Sequence, residues 1–358
     1  MVGKFELLKS SKKHKGRAGI LHTAHGSIET PVFMPVGTQA TVKGLTPQMV
    51  EDTGAQIVLS NTYHLALRPG SDLVEEMGGL HKFMNWSKPI LTDSGGYQVF
   101  SLSKMRKISD DGVEFRSHID GSKRMFTPES VIDIQRQLGS DIMMPLDICS
   151  PYPCKRNQLE KDWIQTLAWE KRAKAHWEKA PGKQLLFAIV QGGMDNGLRK
   201  ESAQALIDLD FPGYAVGGVS VGEPLDEMNE ITAHTVPLLP EDKPRYLMGV
   251  GLPENMQFCI EQGVDMFDCV APTRLARHGQ VFDQEGGRLN IKNAQFQRDQ
   301  APIDPSCDCY ACQHFTRAYI RHLFIAKEVL AITLMSLHNI RHMVRLVTRI
   351  REGILAED

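Results

Sequence analysis

No apolar run in the chain approaches the ~18 residues that a membrane span requires. The opening segment MVGKFELLKSSKKHKGRAG also lacks the apolar core of a secretory signal, so the expected location is the cytoplasm. Cysteine is sparse, with seven residues in all. Four are scattered (Cys149, Cys154, Cys259, Cys269) and three are clustered (Cys307, Cys309, Cys312). An odd, thin set of this kind excludes a secreted disulfide framework and fits metal ligation plus buried thiols. The formal net charge is only −2, so no argument from global basicity is available. No low-complexity linker and no internal repeat divides the 358 residues, a length that suits one large α/β barrel or two average domains.

The charge that is present is unevenly placed. Between His314 and Arg351 six Arg and one Lys stand against one acid, Glu328, and the stretch from Lys4 to Arg17 is similarly basic. Local clusters of this kind suit a phosphate backbone, because counterion release follows local contacts, although a solvated helix face reads the same way.

Eight short apolar runs recur: 32–37, 56–63, 89–96, 141–147, 185–193, 214–222, 245–251 and 265–273. They read as buried parallel strands. Helical patterns lie between several of them, one opened by Thr127-Pro128 and others over 157–179 and 194–209. Residues 100–126, with Asp-Gly pairs at 111–112 and 120–121, predict an inserted hairpin. The alternation predicts a (β/α)8 barrel, with a doubly wound sheet as the competitor.

In such a barrel chemistry gathers at the C-terminal strand ends. Those ends here carry Asp93, Asp147, Gln191, Gly217-Gly218, Met248-Gly249 and Asp268. Asp93 and Asp268 are expected at neighbouring strand ends, and a carboxylate pair is the minimum for glycosidic chemistry: one attacks the anomeric carbon while the other manages the leaving group's proton. A strand-end Asp can equally cap the next helix. Asp147 suits two adjacent N–H groups on a purine edge, and Gln191 with a Gly218 N–H suits the carbonyl. Tyr97 and Met248 can sandwich a flat ring, unless they are core. The spacing Cys307-x-Cys309-x2-Cys312 supplies three thiolates, and one imidazole from His338, His314, His322 or His342 would complete a closed tetrahedral Zn2+ shell.

The motifs SNTYHL (60–65), TDSGGYQVFSL (92–102), IVQGG (189–193), AVGGVSVGE (215–223), YLMGVGLPE (246–254), MFDCVAPTR (266–274) and the cysteine cluster with SLHN (336–339) stand in one order across nearly the whole chain. On them the chain resembles the tRNA-guanine transglycosylases of the bacterial type. The resemblance implies a (β/α)8 TIM barrel with an inserted C-terminal zinc-binding subdomain, about residues 281–338, within a single catalytic domain. It implies Asp268 as nucleophile and Asp93 as general acid/base. Asp147, Gln191, Gly218, Tyr97 and Met248 would hold the base, and Glu223 would orient the glycine-rich loop. Arg274 and Arg277 would bind the anticodon loop, and Cys307, Cys309, Cys312 and His338 would ligate one structural Zn2+.

The implied activity is exchange of guanine at the wobble position of GUN tRNAs (those for asparagine, aspartate, histidine and tyrosine) for a 7-deazaguanine base. Family members of this type are homodimers, and Phe315, Tyr319 and His322 on one helix face are the candidate contact. Bacterial members that use 7-aminomethyl-7-deazaguanine (preQ1) usually have Asp-Glu-Cys where this chain has Asp147-Ile148-Cys149. Cys149 and Val221 still follow the preQ1 pattern, so preQ1 is the expected incoming base and queuine the alternative. A non-catalytic tRNA-binding partner subunit would lack the nucleophile, whereas both acids are present.

Overall fold

The computed structural model describes residues 2–102 and 106–357. Each apolar run supplies one strand: β1 Val32–Pro35, β2 Val58–Asn61, β3 Ile90–Asp93, β4 Ile142–Met143, β5 Leu185–Val190, β6 Gly213–Val216, β7 Arg245–Leu247 and β8 Met266–Cys269. They pair in parallel in the order β1-β8-β7-β6-β5-β4-β3-β2, and a parallel bridge from Val36 to Leu59 joins β1 to β2. The ring closes in chain order. A doubly wound sheet would instead reverse its order at a switch point.

The unbroken apolar runs have a simple cause. All six residues of β5 are buried. Leu185, Phe187 and Ile189 pack with Met34, Leu59, Leu91 and Met266, while Leu186, Ala188 and Val190 pack with outer residues such as Met256, Ile260 and Met343. The two-residue strand period is present but invisible in composition, because both faces are dry.

Helices α1 Pro128–Leu138, α2 Arg156–Lys179, α3 Asn196–Ile207, α4 Leu225–Thr235, α5 Pro253–Glu261 and α6 Ala271–Arg277 follow β3 to β8 in turn. The start of α1 obeys its sequence. Thr127 and Ser130 form a reciprocal capping box, and Pro128 occupies the first turn, where its missing N–H costs nothing. The predicted single hairpin over 100–126 is instead a short helix, Gly96–Leu102, followed by three antiparallel strands, Arg106–Ser109, Gly112–Arg116 and Lys123–Phe126. Turns at 110–111 and 118–120 contain the Asp residues of the two Asp-Gly pairs, so each pair makes its own reversal. Positions 103–105 of that stretch lie outside the described residues.

After α6 the alternation is interrupted by an antiparallel pair, Gln280–Phe282 with Arg288–Asn290, and by helices α7 Tyr310–His314 and α8 Arg317–Ile325. The last helix, α9 Val329–Ala356, then returns to the barrel. Its Leu334 and Met335 pack with the cysteine cluster, its Leu337 and Ile340 with Val42 and Leu45, and its Met343 and Val347 with the barrel shell. One helix therefore carries both the last barrel layer and the only histidine that reaches the cysteines among the described residues. No helix of the described residues is long and apolar enough to cross a membrane.

A three-stranded antiparallel sheet (Phe5–Ser10, Arg17–Thr23, Gly26–Thr30) plugs the N-terminal mouth of the barrel, with Phe5, Leu21 and Ile28 in the inner cluster. The basic stretch Lys4–Arg17 is part of this plug and lies at the end opposite the strand-end acids. Its Arg17 is buried and donates to both oxygens of Asp265. Arg17 therefore has no charge to offer a polyanion. Asp141, also at this end, puts its oxygens and the His25 and His81 rings within 4.8 Å of one another. Its carboxylate already accepts from the His25 and Ile90 N–H groups and from both rings, so its lone pairs are used. Burial opposes the charge of Asp141, but the His81, Ile90 and His25 bonds outweigh it and hold the carboxyl below the usual range. This is a clamp between plug and barrel.

Candidate active site

Asp93 ends β3 at the C-terminal mouth. Its side chain meets the start of the helix Thr62–Leu67, whose first amides have no partner within the helix. Thr62 N–H donates to Asp93 Oδ1 at 3.1 Å, and Asn61 Nδ2 donates to Oδ2. Asn61 also caps that helix by accepting from His64 N–H at 3.0 Å. Burial pushes the Asp93 carboxyl up to about 7; the Thr62 and Asn61 bonds pull it down, and the charges of Asp268 and Asp147 push it further up.

Asp268 stands on β8, in register with Met34 of β1. It is not on a strand next to Asp93, as expected from the sequence. The path around the ring runs β8, β1, β2, β3, so the two acids stand across the mouth from each other. Adjacent strands would have placed the carboxylates side by side, with no room for a ring between them. Asp268 Oδ1 accepts from the Tyr246 hydroxyl at 2.6 Å and from Gly249 N–H at 2.7 Å. No partner is seen for Oδ2 among the described residues. Burial raises the Asp268 carboxyl, while the bonds from Tyr246 and Gly249 pull it back.

Between the two acids, Asp147 is buried, accepting from Gln191 Nε2 at 2.7 Å and from Ser94 Oγ at 3.3 Å. Burial pushes its carboxyl up to about 6 against those two bonds. Gln191 follows β5, and its side chain packs against the glycine turn that ends β6. A Cβ at Gly217 would come 2.9 Å from Gln191 Nε2, and one at Gly218, whose φ is +64°, would come 2.4 Å from Oε1. Glycine is needed at both, for space and at Gly218 also for the left-handed backbone. Glu223 closes the same loop by accepting from the N–H groups of Ser220 and Val221.

Tyr97 is 51% exposed, which sets aside a core role, and Met248 is half-buried. Both stand where strand ends meet solvent. A cavity of about 220 Å³ adjoins the glycine loop, lined by Pro151, Tyr152, Pro153, Cys154, Gly218 and Val221 among others. Ile148 does not face it; its side chain is buried with Val99, Phe115 and Trp169.

Cys307, Cys309, Cys312 and His338 are all buried, with one donor atom from each within 4.8 Å of the others. His338 Nδ1 lies 3.2 Å from Cys312 Sγ and 3.7 Å from Cys309 Sγ, and its Nε2 bonds to Phe282 O at 2.8 Å. That carbonyl fixes the ring with Nε2 protonated and turns the Nδ1 lone pair to the thiols, the usual support of a metal-bound imidazole. The donor set suits a metal ion. His338, and not His314, His322 or His342, completes it.

Arg274 and Arg277 follow Asp268 on α6, exposed and half-buried respectively, with no ion pair among the described residues. Burial, with the neighbouring Arg274 charge, lowers the Arg277 pKa. Most of the C-terminal basic stretch is not free in this way. Arg317 pairs with Asp299, Arg341 with Asp308, Arg345 with Asp304 and Arg351 with Glu29. Those acids lie outside the window in which charge was counted, which is why the stretch looked unpaired. Phe315 precedes α8 rather than sharing its face with Tyr319 and His322, although its ring stacks on Tyr319 at 5.4 Å.

Sequence reasoning missed three supporting residues. Asn61 and Tyr246 lie inside recognised motifs, but only the fold shows that they hold Asp93 and Asp268. Arg199, a charged residue in an amphipathic helix, gave no signal at all, yet it is fully buried beneath the glycine turns.

Comparison with known proteins gives a consistent result. The profile of the family described as Queuine tRNA-ribosyltransferase matches residues 11–358. A queuine tRNA-ribosyltransferase of Desulforudis audaxviator is 58% identical over 354 residues, covering 99% of this chain and 94% of its own. Its counterpart in Thermoanaerobacter pseudethanolicus is 57% identical over 98% of this chain and 93% of its own. That of Lysinibacillus sphaericus is 55% identical, covering 98% and 92%.

Proposed function

The chain belongs to the queuine tRNA-ribosyltransferase family, and from that membership we propose that it exchanges guanine for preQ1 at the wobble position of GUN tRNAs, through a covalent bond between Asp268 and ribose C1′. The observation that carries the mechanism is the pair of acids across one mouth, with the Asp147–Gln191–Gly218 set between them. Asp147, as a carboxylate, accepts from the N1–H and 2-amino group of the purine. Gln191 and the Gly218 N–H address its carbonyl, and Tyr97 and Met248 cover its faces. Glu223 keeps the loop turned toward the 7-substituent. Arg274 and Arg277 hold anticodon-loop phosphates, which lets the target nucleotide leave its stack and enter the mouth.

In the first half-reaction Asp268 Oδ2, the oxygen left free by Tyr246 and Gly249, attacks C1′. The C1′–N9 bond breaks and guanine leaves with that electron pair, taking a proton from Asp93. In the second half-reaction the incoming base gives its N9 proton to Asp93, its N9 attacks C1′, and the Asp268–C1′ bond breaks. Two inversions restore the configuration, and the ester keeps the bond energy so that no nucleotide triphosphate is consumed. Cys307, Cys309, Cys312 and His338 would hold one Zn2+ whose closed shell contributes folding energy rather than chemistry. Residues 281–338 then form a metal-organised unit inserted in the catalytic domain. The stacked Phe315 and Tyr319 and the exposed Tyr310 support homodimer contact on this side.

A group that gives a proton in one half-reaction and takes it back in the other works best with a pKa near the operating pH, and Asp93 has one. Guanine release in a single turnover should therefore fall as pH rises through about 7. Asp93→Asn should remove that limb; an unaltered limb would take the proton role from Asp93. The same shift sets a stability trend. Folding raises this carboxyl from 3.8 to about 7, so the native state binds the proton more tightly and loses that advantage as pH rises through the interval.

One observation favours a second incoming base. The 220 Å³ cavity beside Gly218 and Val221, with Ile148 turned away into the core, leaves room and no carboxylate at residue 148 for an exocyclic ammonium. Release of labelled guanine from tRNA, challenged in turn with preQ1, queuine and the 7-cyano base, decides between them. Release by preQ1 supports the main reading, release by queuine alone supports the second, and no release by any base removes both.

A further inference from the structure

Arg199 is 0% exposed, and its guanidinium meets no carboxylate among the described residues. It meets carbonyls only. Nε donates to Gly193 O at 2.9 Å, Nη1 to Val190 O at 2.9 Å and to Gly217 O at 2.7 Å, and Nη2 to Gly218 O at 3.3 Å. These carbonyls belong to the two turns, after β5 and β6, that carry Gln191 and Gly218. Burial lowers the Arg199 pKa to about 10, with the Cys149 and Glu223 charges opposing, so the cation persists at neutral pH. An unpaired buried cation is costly, and neutral amides or water can hold two backbone turns together without one. Its charge calls for a use.

The peptide between Gly217 and Gly218 supplies that use. Its carbonyl accepts from Arg199, so across a planar trans peptide the Gly218 N–H points the opposite way, away from the guanidinium, and the Gln191 side chain lies beside the same turn. We propose that Arg199 is a positioning residue for departure of the base: its charge polarises this peptide from behind, and the Gly218 N–H passes that polarisation to the base carbonyl. The inference rests on the base-exchange reading above. As the C1′–N9 bond breaks, its electron pair spreads over the purine onto the carbonyl oxygen until Asp93 returns a proton to the ring. A fixed dipole backed by a cation in a dry site stabilises that charge without reorganising.

The test separates polarisation from simple support of the loops. tRNA carrying guanine, and tRNA into which the enzyme has exchanged the more acidic 8-azaguanine, are given to wild type, Arg199→Met and Arg199→Lys in single turnovers. Arg199→Met should slow guanine release on the order of 10- to 100-fold, below the loss for a direct oxyanion donor, with the KM for tRNA little changed. The deficit should be smaller for 8-azaguanine, whose anion needs less help, and Arg199→Lys should recover part of the guanine rate. Equal deficits for the two bases, or a wild-type rate in Arg199→Met, would overturn the proposal. If Arg199→Met does not fold, Arg199→Lys carries the comparison: a larger deficit for guanine than for 8-azaguanine supports it, and parallel deficits overturn it. Failure of the wild type to release either base would instead remove the base-exchange reading.

Discussion

Asp268→Asn is expected to abolish the denaturant-resistant enzyme–tRNA adduct and to lower base exchange on the order of 10⁴-fold or more, the scale of loss when a catalytic nucleophile is removed. The substitution keeps the shape of the side chain. The amide oxygen can still accept from the Tyr246 hydroxyl and Gly249 N–H, both of which now go to Oδ1. What changes is the other atom. The free Oδ2, which the mechanism sends to C1′, becomes an NH2 with no lone pair to give. Burial also disfavours the native charge at this position, so a neutral amide should leave the thermal midpoint unchanged or higher. A fall in activity with no fall in stability is the signature of a lost nucleophile. Detection of the adduct by denaturing gel in the Asn variant would remove Asp268 as the nucleophile.

The second large effect is expected at the cysteine cluster. Cys309→Ala should reduce metal content, measured by atomic absorption, from one ion per chain to none, and should destabilise the C-terminal third. Structural Zn2+ sites of this type contribute about 10–16 kcal/mol of apparent binding free energy at neutral pH, and without metal that contribution to folding is lost. The cysteines pack with Val281, Ile291, Phe296, Ile303, Ile320 and Leu323 in a core too small to be secure by itself. The loss should spread to the active site by a short path. Asn339, next to His338, donates to Pro272 O at 2.9 Å and to Gln280 O at 3.1 Å, and Pro272 lies on α6 just after Asp268. Exchange activity should therefore fall together with the urea midpoint, although none of the four donor residues belongs to the strand-end set. A metal content that stays at one per chain in Cys309→Ala would remove Cys309 from the site.

The two halves of this protein were unequally legible before folding was considered. Strand positions could be read because a parallel barrel strand is buried on both faces, so composition alone marks it; all eight runs became strands. The cysteine triplet could be read because its spacing is local. The fourth donor could not, because four histidines compete for it in sequence and only the return of α9 decides which one arrives. The insertion after β3 was misjudged as one hairpin because each Asp-Gly pair marks a reversal without saying how many strands join it. The pairing of the basic C-terminal stretch was out of reach for a related reason: the acids at 299, 304, 308 and 29 that pair with it in space lie outside it in sequence.

The order of residues by itself determined where strands begin, which turns need glycine, and which acids, amide and thiols stand at strand ends and in the cluster. These are properties of a residue and its near neighbours. The tertiary structure alone decided that Asp93 and Asp268 stand across the mouth and not side by side, that one oxygen of Asp268 is held while the other has no partner among the described residues, and that a buried Arg199 backs the glycine turns. The first depends on ring closure, which brings together residues more than a hundred positions apart. The other two depend on the packing of neighbouring strands and their turns, and burial strips the water that would otherwise equalise the charges.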